Sequence, residues 1–141
     1  MKFQGYLRPD GKAGARNYVA VIPSVVCSNE VVEAIVQNTV MTQGIIHHQG
    51  CCQTPPDLER ITDCLIKIGE NPNVGASLIV SLGCEGVDTD RLEAALRATG
   101  KPVERINIQE LGGTSAAIQA GIDAAQRLVL AISGQQRAAV D

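Results

Sequence analysis

Apolar and polar positions alternate along this chain in blocks that fit strands and helices in strict succession. Tyr18-Val19-Ala20-Val21-Ile22 is a short β-branched run stopped by Pro23, the pattern of a buried strand. Ser28 or Asn29 can cap a helix through Val40, with Val32, Ile35 and Val36 on its inner face. Gly44 ends that pattern, and Ile45-Ile46-His47 reads as a short second strand. Beyond Pro55-Pro56, Leu58, Ile61, Leu65 and Ile68 recur at helical spacing up to Gly69. Ala76 to Leu82 is the strongest strand, and its continuous apolar character suits a central position buried on both faces. A helix from Asp88 or Thr89 stops at Gly100, Val103 to Ile108 makes a fourth strand, and a last helix runs from Gly112-Gly113-Thr114 to about Ile132. Four strand–helix pairs predict an α/β fold with right-handed crossovers. The expected architecture is an open, mainly parallel sheet of about four strands with helices on both faces (Rossmann/flavodoxin-like). Residues 1–16 read as an amino-terminal arm with a tight turn at Asp10-Gly11-Lys12-Ala13-Gly14, residues 17–134 as the single α/β domain, and residues 135–141 as a polar tail.

Composition narrows the function. Only 2% of the 141 residues are aromatic, so the core must be aliphatic, and the ring platforms that bind single-stranded nucleic acid are missing. A net charge of −3 gives no drive towards nucleic acid or an anionic membrane. Lys2, Arg8, Lys12 and Arg16 in the arm are the exception, and four scattered charges usually form a solvated surface. No apolar stretch approaches the roughly 20 residues that cross a bilayer, and no secretory leader is visible. Five cysteines, an odd number without such a leader, predict reduced thiols and a cytoplasmic setting.

The reactive side chains gather after the predicted strands, where open α/β sheets bind ligands. Cys27-Ser28 follows the first strand, His47-His48-Gln49-Gly50-Cys51-Cys52 the second, and Cys84-Glu85 the third. Cys64 stands apart inside a helix and reads as an inert small hydrophobe. Thiolate, imidazole and carboxylate together suit Fe(II) or Zn(II), whereas Mg and Ca want oxygen alone. No Cys-x-x-Cys pair is present, which excludes a zinc ribbon or a thioredoxin-type site. His47 also fits a satisfied core histidine, and Glu85 fits a ligand, a general base or a helix-end acid. Gly112-Gly113-Thr114 reads as a flexible approach with Thr114 as N-cap, or as an anion cradle. No nucleotide-binding glycine motif occurs.

Several strings together resemble the iron-dependent altronate/galactarate dehydratase family. They are Gly5-Tyr6-Leu7-Arg8-Pro9-Asp10-Gly11-Lys12-Ala13-Gly14-Ala15-Arg16-Asn17, Cys27-Ser28, His47-His48-Gln49-Gly50-Cys51, Pro72-Asn73, Leu82-Gly83-Cys84-Glu85 and Gln109-Glu110-Leu111-Gly112-Gly113-Thr114. The resemblance runs in order from about residue 4 to 120. It implies a lyase that removes water from a sugar acid to give a 2-keto-3-deoxy acid; a related branch eliminates sulfite from sulfolactate. It implies Fe(II), or manganese as Mn(II). It places Cys27, His47, Cys51 and Cys84 at the metal, Glu85 and His47 in acid–base roles, and Arg8, Arg16 and Asn17 at a substrate carboxylate. Family enzymes are longer, so this chain is expected to be the first large domain of a longer or split enzyme. Its partners would be a sugar acid, a carboxy-terminal domain or partner subunit, and in some assemblies a second copy of itself. Two other readings are a non-catalytic module that binds a metal or small acid and docks onto a partner, and a thiol enzyme using Cys27 at a helix N-terminus.

Overall fold

The computed structural model describes residues 2–140. Four parallel strands form the main sheet: β3 (Tyr18–Pro23), β4 (Thr42–Gly44), β5 (Val74–Ser81) and β6 (Val103–Asn107). Their order is β4-β3-β5-β6. Helices α1 (Asn29–Gln37), α2 (Pro55–Glu70), α3 (Thr89–Ala98) and α4 (Thr114–Ser133) connect and cover them. The expected open α/β class, with helices on both faces, is the observed one. All eight residues of β5 are buried, as befits a central strand between β3 and β6.

Alternate strand residues feed two cores, because successive side chains in a strand point to opposite faces. Val19, Val21, Ala76, Leu78 and Val80 pack with Val31, Val32 and Ile35 of α1 and Ala117, Ala124, Ala125, Leu128 and Ile132 of α4. Ala20, Ile22, Ile79 and Val103 pack with Leu65 and Ile66 of α2 and Leu92 and Leu96 of α3. The aliphatic composition thus suffices for both layers. The alanines of α4 let that helix lie close to α1 and the sheet without aromatic filler.

Three local expectations need correction. The second strand is Thr42–Gly44, not Ile45–His47; only the Ile45 N–H continues the ladder, donating to the Val21 carbonyl (3.0 Å). Helix α1 stops at Gln37 rather than Val40, and Met41 takes a positive φ of 58° to turn the chain into the strand. The stretch after residue 134 is not merely a polar tail. Strand β7 (Ala138–Val140) pairs antiparallel with β1 (Phe3–Leu7), which pairs in turn with β2 (Ala13–Gly14) across the Asp10–Lys12 turn. The arm and the tail therefore form a small three-stranded sheet of their own.

Candidate functional site

The strand order creates one topological switch. From β3 the chain passes through α1 to β4 on one side, then through α2 to β5 on the other. The loops leaving β3 and β5 diverge there, the place where open α/β sheets bind ligands. Main-chain and side-chain bonds tie the loops at this edge together. Val26 N–H donates to the Gln49 carbonyl (2.9 Å) and Gly86 N–H to the Gly50 carbonyl (2.9 Å). Asn29 Nδ2 donates to the His47 carbonyl (2.7 Å). Gln109, on the loop after β6, donates from its main-chain N–H to the Leu82 carbonyl (3.1 Å) and from Nε2 to Cys84 Sγ (3.3 Å). Two glycines take the left-handed backbone these turns need, and at Gly50 the neighbouring backbone also leaves no room for a side chain. At Gly50 (φ 103°) a Cβ would lie 2.5 Å from the Ser24 carbonyl oxygen, and at Gly83 (φ 119°) one would lie 2.6 Å from Gln109 Oε1.

Glu85 bridges the switch point. Ser24 at the end of β3 donates its hydroxyl to Glu85 Oε1 (2.5 Å), and the N–H groups of Leu82 and Gly83 donate to Oε1 (3.0 Å) and Oε2 (2.6 Å). Burial alone would raise its pKa, but the bonds from Ser24 and the main-chain N–H groups of the 82–85 turn outweigh it and hold the carboxyl below its ordinary range. Glu85 is thus a fixed anion with three local donors, shaped to position the turn that carries Cys84.

His47 is likewise occupied. The Gln49 N–H donates to its Nδ1 (3.2 Å), which leaves the proton on Nε2, 2.8 Å from the Pro23 carbonyl. That is a neutral tautomer spanning the β3 and β4 loops. All five cysteines are exposed. For Cys64 this corrects the expectation of a buried hydrophobe: it lies on the outer face of α2, whose inner face is Thr62, Leu65, Ile66 and Gly69. Cys27 lies in a 3-10 turn (Val26–Ser28) before α1. Cys51 Sγ touches Cys52 Sγ at 3.6 Å, and sharing a hydrogen bond and charge with Cys52 raises the Cys51 pKa. Among the described residues two side-chain polar atoms at this edge are buried without a partner, Ser28 Oγ and Asn29 Oδ1. At the start of α4, Gly113 occupies the cap and Thr114 is already helical, so Thr114 is not the N-cap.

These donors do not close around a metal. Among the described residues no group of three His, Cys, Asp or Glu side chains comes together. Both nitrogens of His47 and both oxygens of Glu85 are held by protein atoms, which leaves the thiols as the free soft donors. As arranged, the residues do not fit Fe(II) or Mn(II) on their own. A groove of about 530 Å³ opens nearby between the first turns of α2 and α3, lined by Pro55, Pro56, Leu58, Thr62, Gly86 and Asp88, and none of the candidate residues lines it.

Arg8, Arg16 and Asn17 lie at the opposite edge. Asn17 precedes β3, and Ser24 follows it; six strand residues separate the two edges by roughly 20 Å. Arg8 is 5% exposed. It donates from Nε to the Pro72 carbonyl (2.7 Å), from Nη1 to Asn17 Oδ1 and Gln135 Oε1 (both 2.8 Å), and from Nη2 to the Arg16 carbonyl (2.9 Å). Asn17 Nδ2 donates to the Ile132 carbonyl (3.0 Å). Arg8, Arg16 and Asn17, expected at a substrate carboxylate, thus lie away from Glu85, and Arg8 and Asn17 form a buried brace whose hydrogen-bond partners come from this chain. Of these three candidates only Arg16 is exposed.

Sequence reasoning passed over Ser24 and Gln109 and gave Asn29 only a capping role. Gln109 stood in a motif string and Ser24 directly after a strand at the ligand edge, but nothing local shows that they reach other loops.

Comparison with known proteins agrees with the resemblance. Residues 5–133 match the family described as D-galactarate dehydratase/Altronate hydrolase, second domain. The chain is 29% identical over 145 residues to the altronate dehydratase of Bacillus subtilis, covering 96% of this chain and 29% of that protein. It is 39% identical over 110 residues to the (2R)-sulfolactate sulfo-lyase subunit beta of Chromohalobacter salexigens, covering 78% of this chain and 28% of that protein. The altronate dehydratase of Escherichia coli is 29% identical over 146 residues, covering 95% and 29%. The chain thus spans less than a third of each relative's length. The family numbers this region as its second domain, where the sequence reading expected the first large one. With the match running through nearly every element from β1 to α4, the chain belongs to the D-galactarate dehydratase/altronate hydrolase family, as its second domain.

Proposed function

We propose that this chain is one domain of a lyase that dehydrates a sugar acid of the altronate or galactarate type to a 2-keto-3-deoxy acid. The observation that carries the reading is the family match over residues 5–133, which takes in all the loops at the carboxyl edge. Dehydration removes a proton next to a carboxylate and expels hydroxide. The carboxyl edge contributes a fixed carboxylate at Glu85, exposed thiols at Cys27, Cys51 and Cys84, and unpartnered oxygens at Ser28 and Asn29. These groups form one wall of the site, and further donors come from the rest of the enzyme. Bound Fe(II), or Mn(II), would supply Lewis acidity; because the donors of this chain do not close around an ion, such a metal needs ligands from beyond it.

A second reading has specific support. One relative is a named subunit of a sulfo-lyase. In that reading the chain binds a small acid or metal and docks onto a partner subunit without performing chemistry alone. Anaerobic calorimetry with galactarate, altronate and the neutral sugar alcohol of the same length, each with and without Fe(II), tests the leading proposal. Saturable binding of a sugar acid but not of the alcohol is the expected result. Equal heats for all three would overturn it.

A further inference from the structure

Cys51 and Cys52 are neighbours in sequence whose thiols are in contact. In an extended chain successive side chains diverge to opposite sides. Here Cys52 takes a positive φ of 55°, and the two Sγ atoms meet at 3.6 Å, both exposed to solvent. Thiol contact and access are what oxidation to a disulfide requires. The loop around the pair is held at defined points: the Gly50 N–H donates to Gln53 Oε1 (2.8 Å), and the Gly50 carbonyl accepts from Gly86.

We infer that Cys51 and Cys52 form a reversible vicinal disulfide, a thiol-redox site on the loop between β4 and α2. The oxidant is a small disulfide of the glutathione class. One thiolate attacks it, forms a mixed disulfide and releases one thiol. The second thiolate then attacks the protein sulfur of that mixed disulfide and releases the other. Two protein thiols lose two electrons and two protons, and the small disulfide becomes two thiols, so the exchange balances.

The resulting bond is labile. Adjacent Cα atoms stand about 3.8 Å apart, closer than the roughly 4.4–6.8 Å of ordinary disulfides. The strain of closing so small a ring makes the bond easy to reduce, which suits a switch and not a structural staple. Oxidation removes the Cys51 thiol from the carboxyl edge and twists the backbone next to Gly50, loosening its bond to Gly86. Cys27, Cys64 and Cys84 have no sulfur partner of this kind among the described residues.

The test uses the full chain in buffers of increasing ratio of oxidised to reduced glutathione, trapped with a maleimide and read by intact mass. The expected product has lost two hydrogens, carries no glutathione, has two fewer maleimide-reactive thiols and is restored by dithiothreitol. Cys27→Ser leaves that product unchanged. Cys52→Ser abolishes it and leaves a glutathione adduct in its place. Persistence of the two-hydrogen loss in Cys52→Ser, or glutathione adducts alone in the unmodified chain, would overturn the assignment. Neither outcome bears on sugar-acid binding, so this site and the dehydratase reading stand or fall separately.

Discussion

The two edges of the parallel sheet solve opposite problems with similar residues. At the amino edge, two cations are buried and every visible need is met inside the protein. Arg8 donates to four neutral oxygens, and Lys101, 7% exposed, donates to the carbonyls of Gly69 (2.7 Å) and Asn71 (3.2 Å) at the end of α2. At the carboxyl edge the thiols face solvent, and two buried oxygens have no partner. A finished network braces; an unfinished one is free to bind. The contrast separates motif residues that hold the domain together from those available for chemistry, although both sets belong to the same family strings.

The contrast can be broken by substitution. Arg8→Met should have the largest effect, a loss of roughly 3 kcal/mol, because it removes four hydrogen bonds from a buried cation, one of them to the buried Asn17, that joined the arm, the 72–73 turn and residue 135. Arg8→Lys should not restore it, since a single ammonium cannot reproduce the fork of donors. Urea unfolding of each variant checks both statements.

Glu85→Gln comes next, at about 1–3 kcal/mol, because an amide N–H2 in the place of Oε2 would face the Gly83 N–H. The Glu85 pKa is lowered in the folded state, so its contribution is present above the ordinary carboxylate pKa and is lost as pH falls through the folded value. Unfolding curves from pH 7 down to pH 3 should converge for the wild-type chain and this variant.

Burial is the main cause that lowers the Lys101 pKa, from 10.5 to about 8. Between those values the unfolded chain binds more protons than the folded one, so this group makes stability rise with pH across that window. Thermal melts of Lys101→Met at pH 8 and pH 10 should lack that share of the rise. Ser24→Ala should be mildest, about 1 kcal/mol, since Leu82 and Gly83 still hold the Glu85 carboxylate; chemical unfolding at pH 7 measures it.

Much of this was legible in the sequence because it is local. Continuous apolar runs marked β3 and β5, helical spacing marked α2, and Asp88 does cap α3 by accepting from the Arg91 N–H (2.9 Å). The loops that carry Cys27, His47, Cys51, Cys84 and Glu85 were read as lying at the carboxyl ends of the strands, and they do. What stayed hidden is non-local. Strand β7 is three residues whose partner lies at the other end of the chain, so no periodicity announces it. Strand β4 is short and polar because it is an edge strand paired only to β3, and the apolar Ile45-Ile46 beside it drew the reading away. Arg8 looked like a surface charge or a carboxylate ligand because its four acceptors come from three separate segments, residues 16–17, 72 and 135.

The central claim is that the carboxyl edge, and not the amino edge, meets the ligand. The most direct measurement is a two-dimensional amide NMR titration of the isotopically labelled chain with galactarate. The account predicts shift changes concentrated in residues 24–29, 47–53, 82–86 and 109–115. Changes concentrated around Arg8, Asn17, Asn73 and Gln135, with the carboxyl edge silent, would contradict it.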